Sequence, residues 1–226
     1  MKYYFTGETK QITIDGQDYT VRRIRYESGK LGGWIESEKN LSPYGKCLIG
    51  SDVTVVGNAM VRDNALVLGW ATVCGNVNIR GKAFVGGRAV LKNDTKSVLS
   101  VTGNAIIKGE ASLTGSVSID KNAVITDQAL IIGGEDLYSI IISDNAYIGG
   151  KSVIKERAGV WGTAHLTDCV VGGQAILEDV KVKGGLFEEA VRIYSEADLK
   201  RYMRQHPEMC INQEDLETDI DDRELL

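Results

Sequence analysis

Few residues in this chain could do chemistry, and the most suggestive stand together in Ala164-His165-Leu166-Thr167-Asp168-Cys169. A neutral imidazole can take a proton from an amine or hydroxyl, and a nearby carboxylate can orient it. His165 and Asp168 are therefore the candidate catalytic residues, His165 as base and Asp168 as its orienting partner. The other histidine, His206, falls outside the repeat that carries His165. Cys47, Cys74, Cys169 and Cys210 have neither metal-ligand spacing nor a disulfide pattern, so no metal is expected. The glycines carry no phosphate-loop lysine-serine signature. Asp63, Asp127, Asp144 and Asp168 itself recur between aliphatic residues and read as corner residues, not as a carboxylate pair of known geometry.

The element that must position His165 is a repeat of six. An aliphatic residue stands at Ile49, Val55, Val61, Val67, Val73, Ile79, Val85 and Leu91. Four residues after each comes a small one: Val53, Ala59, Ala65, Ala71, Val77, Ala83, Ala89 and Thr95. The register resumes at Val101–Ile125 and again at Ile142–Leu166. Strand alternation turns the small and aliphatic residues inward and the residue between them outward. Glycine and asparagine between the strands accept the backbone angles of a tight corner.

Three units make one coil of a triangular prism, about six to seven coils in all. The pattern resembles the bacterial transferase hexapeptide-repeat family. That resemblance implies an all-β fold, a left-handed parallel β-helix, over residues 49–186. Residues 1–48 are expected to form a β-hairpin around Asp15-Gly16 and a capping segment, with Trp34 over the open core end. Residues 187–226 should supply a short C-terminal helix, opened by Ser195-Glu196-Ala197-Asp198, and an acidic tail. The stretch Leu31–Ser42 looks like one in poorly characterised enterobacterial and phage members of the family.

The period also predicts surfaces. One outward column, Leu66, Phe84, Ile106, Val124, Tyr147 and His165, is continuously apolar or aromatic. The columns Thr54, Thr72, Val90, Ser112, Leu130, Val153 and Met60, Asn78, Lys96, Ser118, Gly159 are not. Such a stripe marks a contact surface. Because hexapeptide-repeat proteins commonly trimerise through prism faces, the resemblance implies a homo-oligomer, with a trimer favoured. The alternative is that the C-terminal helix covers the stripe through Leu199, Tyr202 and Met203. Two insertions, near Ser97–Ser100 and Glu135–Ile140, should leave one corner two coils apart. Their residues Ser97, Val98, Glu135, Asp136 and Tyr138 would form a binding rim or tolerated surface loops.

Two activities known on this fold bear on function. A carbonic anhydrase needs three histidines around its metal, and this chain has two in total. The acyltransferases carry Ala-His-Ile-Ala-His-Asp-Cys. His165 matches the first histidine of that stretch and Asp168-Cys169 its final pair. The second histidine, the family's base, has no counterpart, and the unit from Leu166 is one residue short. The leading expectation is a non-catalytic, oligomeric binding or scaffold protein, a phage or prophage accessory engaging a host factor or small ligand. The alternative is a divergent acyltransferase using acyl-coenzyme A, the one case in which a cofactor is expected. A purely structural assembly element is a third reading.

The net charge of −5 sits mostly at one end, with eight acidic residues and one basic from Glu208 onward. The remaining body is near neutral and has no nucleic-acid footprint. With no long apolar run, neither membrane insertion nor secretion is expected, and a cytoplasmic location is.

Overall fold

The computed structural model describes residues 2–134 and 139–209. These residues form a parallel β-solenoid with three faces. Successive short strands visit the faces in turn, and each pairs in parallel with strands one coil before and after it. Face I carries Thr54–Val56, face II Met60–Val61 and face III Leu66–Val67, and the cycle repeats. Faces II and III each contain eight strands. At a strand spacing of ~4.8 Å, eight rungs span roughly 34 Å. The parallel ladder begins with β3 (Leu31–Ile35), which pairs with Thr54–Val56, and ends at Arg192–Ile193. It thus extends beyond the 49–186 stretch in which the period is evident, which is why the coil count exceeds six to seven.

The interior consists of stacked like residues. Ile49, Val67, Val85, Ile107, Ile125, Ile148 and Leu166 lie in register on face III and are buried. Each such side chain contributes about 1.5–3 kcal/mol on burial. The alanines at the small position are completely buried too, where a larger side chain would force the walls apart.

Corner aspartates serve the backbone. Asp63, Asp127, Asp144 and Asp168 all adopt positive φ. Their carboxylates accept hydrogen bonds from amides of neighbouring coils: Gly81 N–H to Asp63 at 3.0 Å, Gly150 N–H to Asp127 at 2.9 Å, and Lys151 N–H to Asp168 at 2.8 Å. At other corners glycine is required by closeness. A Cβ on Gly75 would stand 2.1 Å from the Asn93 carbonyl oxygen of the next coil.

Both ends are closed. Strands β1 (Tyr3–Ile14) and β2 (Gln17–Tyr26) form the expected antiparallel hairpin, and β2 pairs antiparallel with β3. Tyr3, Ile24 and Tyr26 join the buried core of the first coil. The Tyr26 hydroxyl accepts from Ile49 N–H at 2.7 Å and donates to Ile49 O at 3.1 Å. Trp34 does not cover the core end. Its strand parity turns it outward on face I, where it joins Tyr19, Val21, Val56 and Cys74 in a separate cluster under the other half of the hairpin. The hairpin tip is pinned two coils further down by an Asp15–Lys92 ion pair.

At the opposite end, α1 (Glu196–Gln205) starts where Ser195 Oγ accepts from Asp198 N–H at 3.2 Å. Leu199 is buried in the core, and Tyr202 stacks on Phe187 with ring centroids 5.7 Å apart. The helix therefore closes the end of the solenoid, the place left open once Phe187 and Ile193 complete the last coil.

Candidate interaction surface

The six residues of the apolar column lie on face III in unbroken register. Leu66 pairs with Phe84, Phe84 with Ile106, Ile106 with Val124, Val124 with Tyr147 and Tyr147 with His165. Leu48 extends the column above and Lys181 below. Leu48 is 40% exposed, Leu66 through Tyr147 are half-buried by their neighbours, and His165 is exposed.

Two glycines shape this surface. The Phe84 ring lies over Gly86, where an added Cβ would stand 2.6 Å from ring carbon Cε1. The Tyr147 ring lies over Gly149 in the same manner, with Cε1 2.7 Å from an added Cβ. Large rings thus lie down along the wall and keep it flat. Burial raises the Tyr147 phenol above its ordinary pKa, with the Asp127 carboxylate adding to the shift. Its neutral form is the one at physiological pH. The His165 ring rests against Tyr147, centroids 4.3 Å apart and tilted by 43°.

The candidate catalytic residues have separate surroundings. His165 is the last ring of the stripe. Asp168 lies at the following corner with its carboxylate turned to the Lys151 amide of the preceding coil, the role other corner aspartates play. Cys169, next along the chain, is a buried thiol pushed up to about 12 by desolvation, the opposite of an activated nucleophile.

The corner between faces I and II carries both insertions. The strands that precede them, Val90–Asn93 and Leu130–Gly133, are two rungs apart in one sheet, about 10 Å. In the first, buried Asn93 organises the loop. Its Nδ2 donates to Ser97 O at 2.8 Å, and its Oδ1 accepts from Thr95 N–H at 3.0 Å. Val98 is 45% exposed. Ser97 is thereby tied into the loop's own hydrogen bonds, while Val98 points to solvent. Glu135, Asp136 and Tyr138 lie outside the described residues.

The loop also corrects two register assignments. Thr95 does not take the inward position of its unit; Leu99 does, paired with Val77 and buried. Lys96 is not in the column of Met60 and Asn78, which continues instead through Ser100. The Asn93 side chain, bonded to Thr95 and Ser97, folds the residues after the strand into a loop, so the unit resumes only at Leu99.

Sequence reading missed the lower part of face II. There Ile141, Gly159, Ile176 and Arg192 follow one another in register and floor a groove of about 850 Å³. The signal was in the chain as Trp161 two residues after Gly159. Among the described residues no group of three or more histidine, cysteine or acidic side chains could hold a metal ion. Nor is any helix long and apolar enough to cross a membrane. No protein-family model matches this chain, and no curated protein matches it either.

Proposed function

We propose that this protein is a non-catalytic β-helical scaffold that self-associates through face III, with a trimer as the favoured assembly. The observation that carries this reading is the flat, in-register stripe from Leu48 to His165, an outward-facing and partly exposed apolar surface continuous over seven rungs. Because α1 closes the solenoid end, its apolar residues are spent on Phe187 and the core. The resemblance to left-handed hexapeptide-repeat proteins, which associate through prism faces, supports the same reading. So does the alignment of both insertions on the I–II corner, away from face III, where they can engage a protein partner or small ligand. A phage or prophage accessory role follows from the Leu31–Ser42 resemblance.

Light scattering over a range of concentrations tests the proposal. The native chain should have a multiple of the 24.6 kDa chain mass, and Phe84→Asp with Ile106→Asp should reduce it to one chain. A native monomer, or an unchanged mass in the double variant, would sink it. For the acyltransferase alternative, His165→Ala is decisive. Transfer from a coenzyme A thioester that depends on His165 would establish that reading.

A further inference from the structure

We infer that the groove on face II is a binding site for the pyranose ring of a neutral carbohydrate. Its floor is one column of outward residues, Ile141, Gly159 and Ile176, spanning two rung steps or about 10 Å. The Trp161 ring lies against Gly159, where an added Cβ would be 2.5 Å from ring carbon Cζ3. Glycine at this rung thus lets the indole lie down on the wall, with Ile141 on the rung above and Ile176 on the rung below. Ile141 is 46% exposed, so the apolar floor opens to solvent.

Polar side chains frame that floor. Ser118 stands one rung above Ile141, and Arg192 one rung below Ile176. Asp120 follows the end of its strand at one corner, and Gln174 precedes the start of its own at the other. The Asp120 Oδ1 atom is buried and accepts no hydrogen bond among the described residues. An acceptor so placed costs free energy until a donor reaches it. A ligand that enters the groove can bring that donor.

The charges of the lining select the ligand class. Arg157 already has a partner, and Asp120 and Arg192 put one charge of each sign on the rim. The Asp120 carboxylate repels an anion and Arg192 repels a cation, so a neutral ligand is preferred. An aliphatic one would cover the floor and leave Asp120 Oδ1 without a donor. A pyranose ring meets both demands. Its axial C–H bonds form an apolar face, which the negative face of an indole attracts. Its hydroxyls point outward around the ring, and each can donate as well as accept. A groove of about 850 Å³ is within the range of small-ligand sites. The site lies on a different face from the apolar stripe, so it stands or falls independently of self-association.

Saturation-transfer NMR on the full chain tests this with glucose, galactose, mannose and N-acetylglucosamine as separate arms. Adenosine 5′-monophosphate and cyclohexanol serve as the anionic and aliphatic comparisons. At least one sugar should bind saturably at millimolar concentration, with the strongest transfer to the C–H protons of one ring face. Both comparison ligands should bind at least tenfold more weakly. Trp161→Ala and Asp120→Ala should each weaken sugar binding at least tenfold, and Trp70→Ala, at a residue outside the groove, should leave it unchanged. Should Trp161→Ala fail to fold, Asp120→Ala alone decides. Absence of saturable binding by every one of the sugars at tens of millimolar overturns the inference. So does either comparison ligand binding as tightly as the best sugar, or sugar binding that survives Asp120→Ala undiminished.

Discussion

Replacing Gly86 by valine separates flatness from hydrophobicity as the basis of association through face III. The substitution adds apolar surface to the stripe, so an interface driven by apolar area alone should tighten. The geometry says otherwise. A Cβ at position 86 meets Phe84 Cε1 at 2.6 Å and Cζ at 2.7 Å, whereas carbon atoms rest at about 3.5–4.0 Å. The ring must lift from the wall by about 1 Å, and the valine methyls must stand beside it. Gly86 is not in the left-handed region, so its backbone accepts a side chain. What yields is the tip of an outward side chain, at an off-rotamer cost of about 0.5–1.5 kcal/mol. The fold should survive. A flat interface forced around a new ridge loses about 1–3 kcal/mol by analogy with overpacked cores, roughly a 5- to 150-fold weaker association. Sedimentation equilibrium of native, Gly86→Ala and Gly86→Val chains measures this, with thermal unfolding as the check on the fold. Gly86→Val associating as tightly as the native chain, or more so, would mean that apolar area and not flatness governs the contact.

Three further outcomes are expected. Asp127 combines a φ of 61° with a hydrogen bond from Gly150 N–H. Asp127→Ala loses both and should cost about 2–3 kcal/mol in denaturant unfolding, whereas Asp127→Gly should cost about 1 kcal/mol because it accepts the left-handed angle and loses only the carboxylate's hydrogen bonds, the Gly150 amide's and a longer one from Thr126 Oγ1. Alkaline pH should destabilise the protein: Cys169, Tyr3 and Tyr26 are each raised to about 12, chiefly by burial. These acids are neutral in the fold and ionise more readily unfolded, so stability should fall as pH rises above about 8.5 for Cys169 and about 10 for the tyrosines. Cys169→Ala should flatten the first part of that decline in thermal melts against pH. Finally, Trp34→Ala should free the outer half of the hairpin. Amide exchange should accelerate by at least tenfold in Ile12–Tyr19 and stay unchanged at Ile107 and Ile125. Uniform acceleration would mean that the tip is integral to the core.

The stripe was legible because a repeat of six assigns every residue both a face and a direction. Parity alone placed Phe84 beside Ile106 and Tyr147 beside His165. Parity also carried the information that Trp34 points outward, yet an aromatic residue before the first clear unit invites reading as a lid. Its true place depends on a hairpin whose two halves do different things, one entering the core and one lying along a corner. That division is long-range and leaves no local pattern. The displacement of Lys96 was hidden for another reason: where a strand yields to an insertion is set by side-chain hydrogen bonds of Asn93. The extension of the ladder to Ile193 was obscured by units of irregular length, such as Val171 to Phe187, which still pair in register. The groove beside Trp161 went unseen because it is a property of three successive rungs rather than of any one.

Equivalent rungs have a consequence for how such a protein can change. Thr54 pairs with Thr72 and Thr72 with Val90, so one coil is eighteen residues and one strand spacing. Loops on a given corner are therefore held at whole-number steps of ~4.8 Å. Duplicating or excising eighteen residues between the two insertions would move them apart or together by one step without rotating either to a different face. The solenoid acts as a graduated ruler, and chain length is the variable through which the distance between its attachments is set.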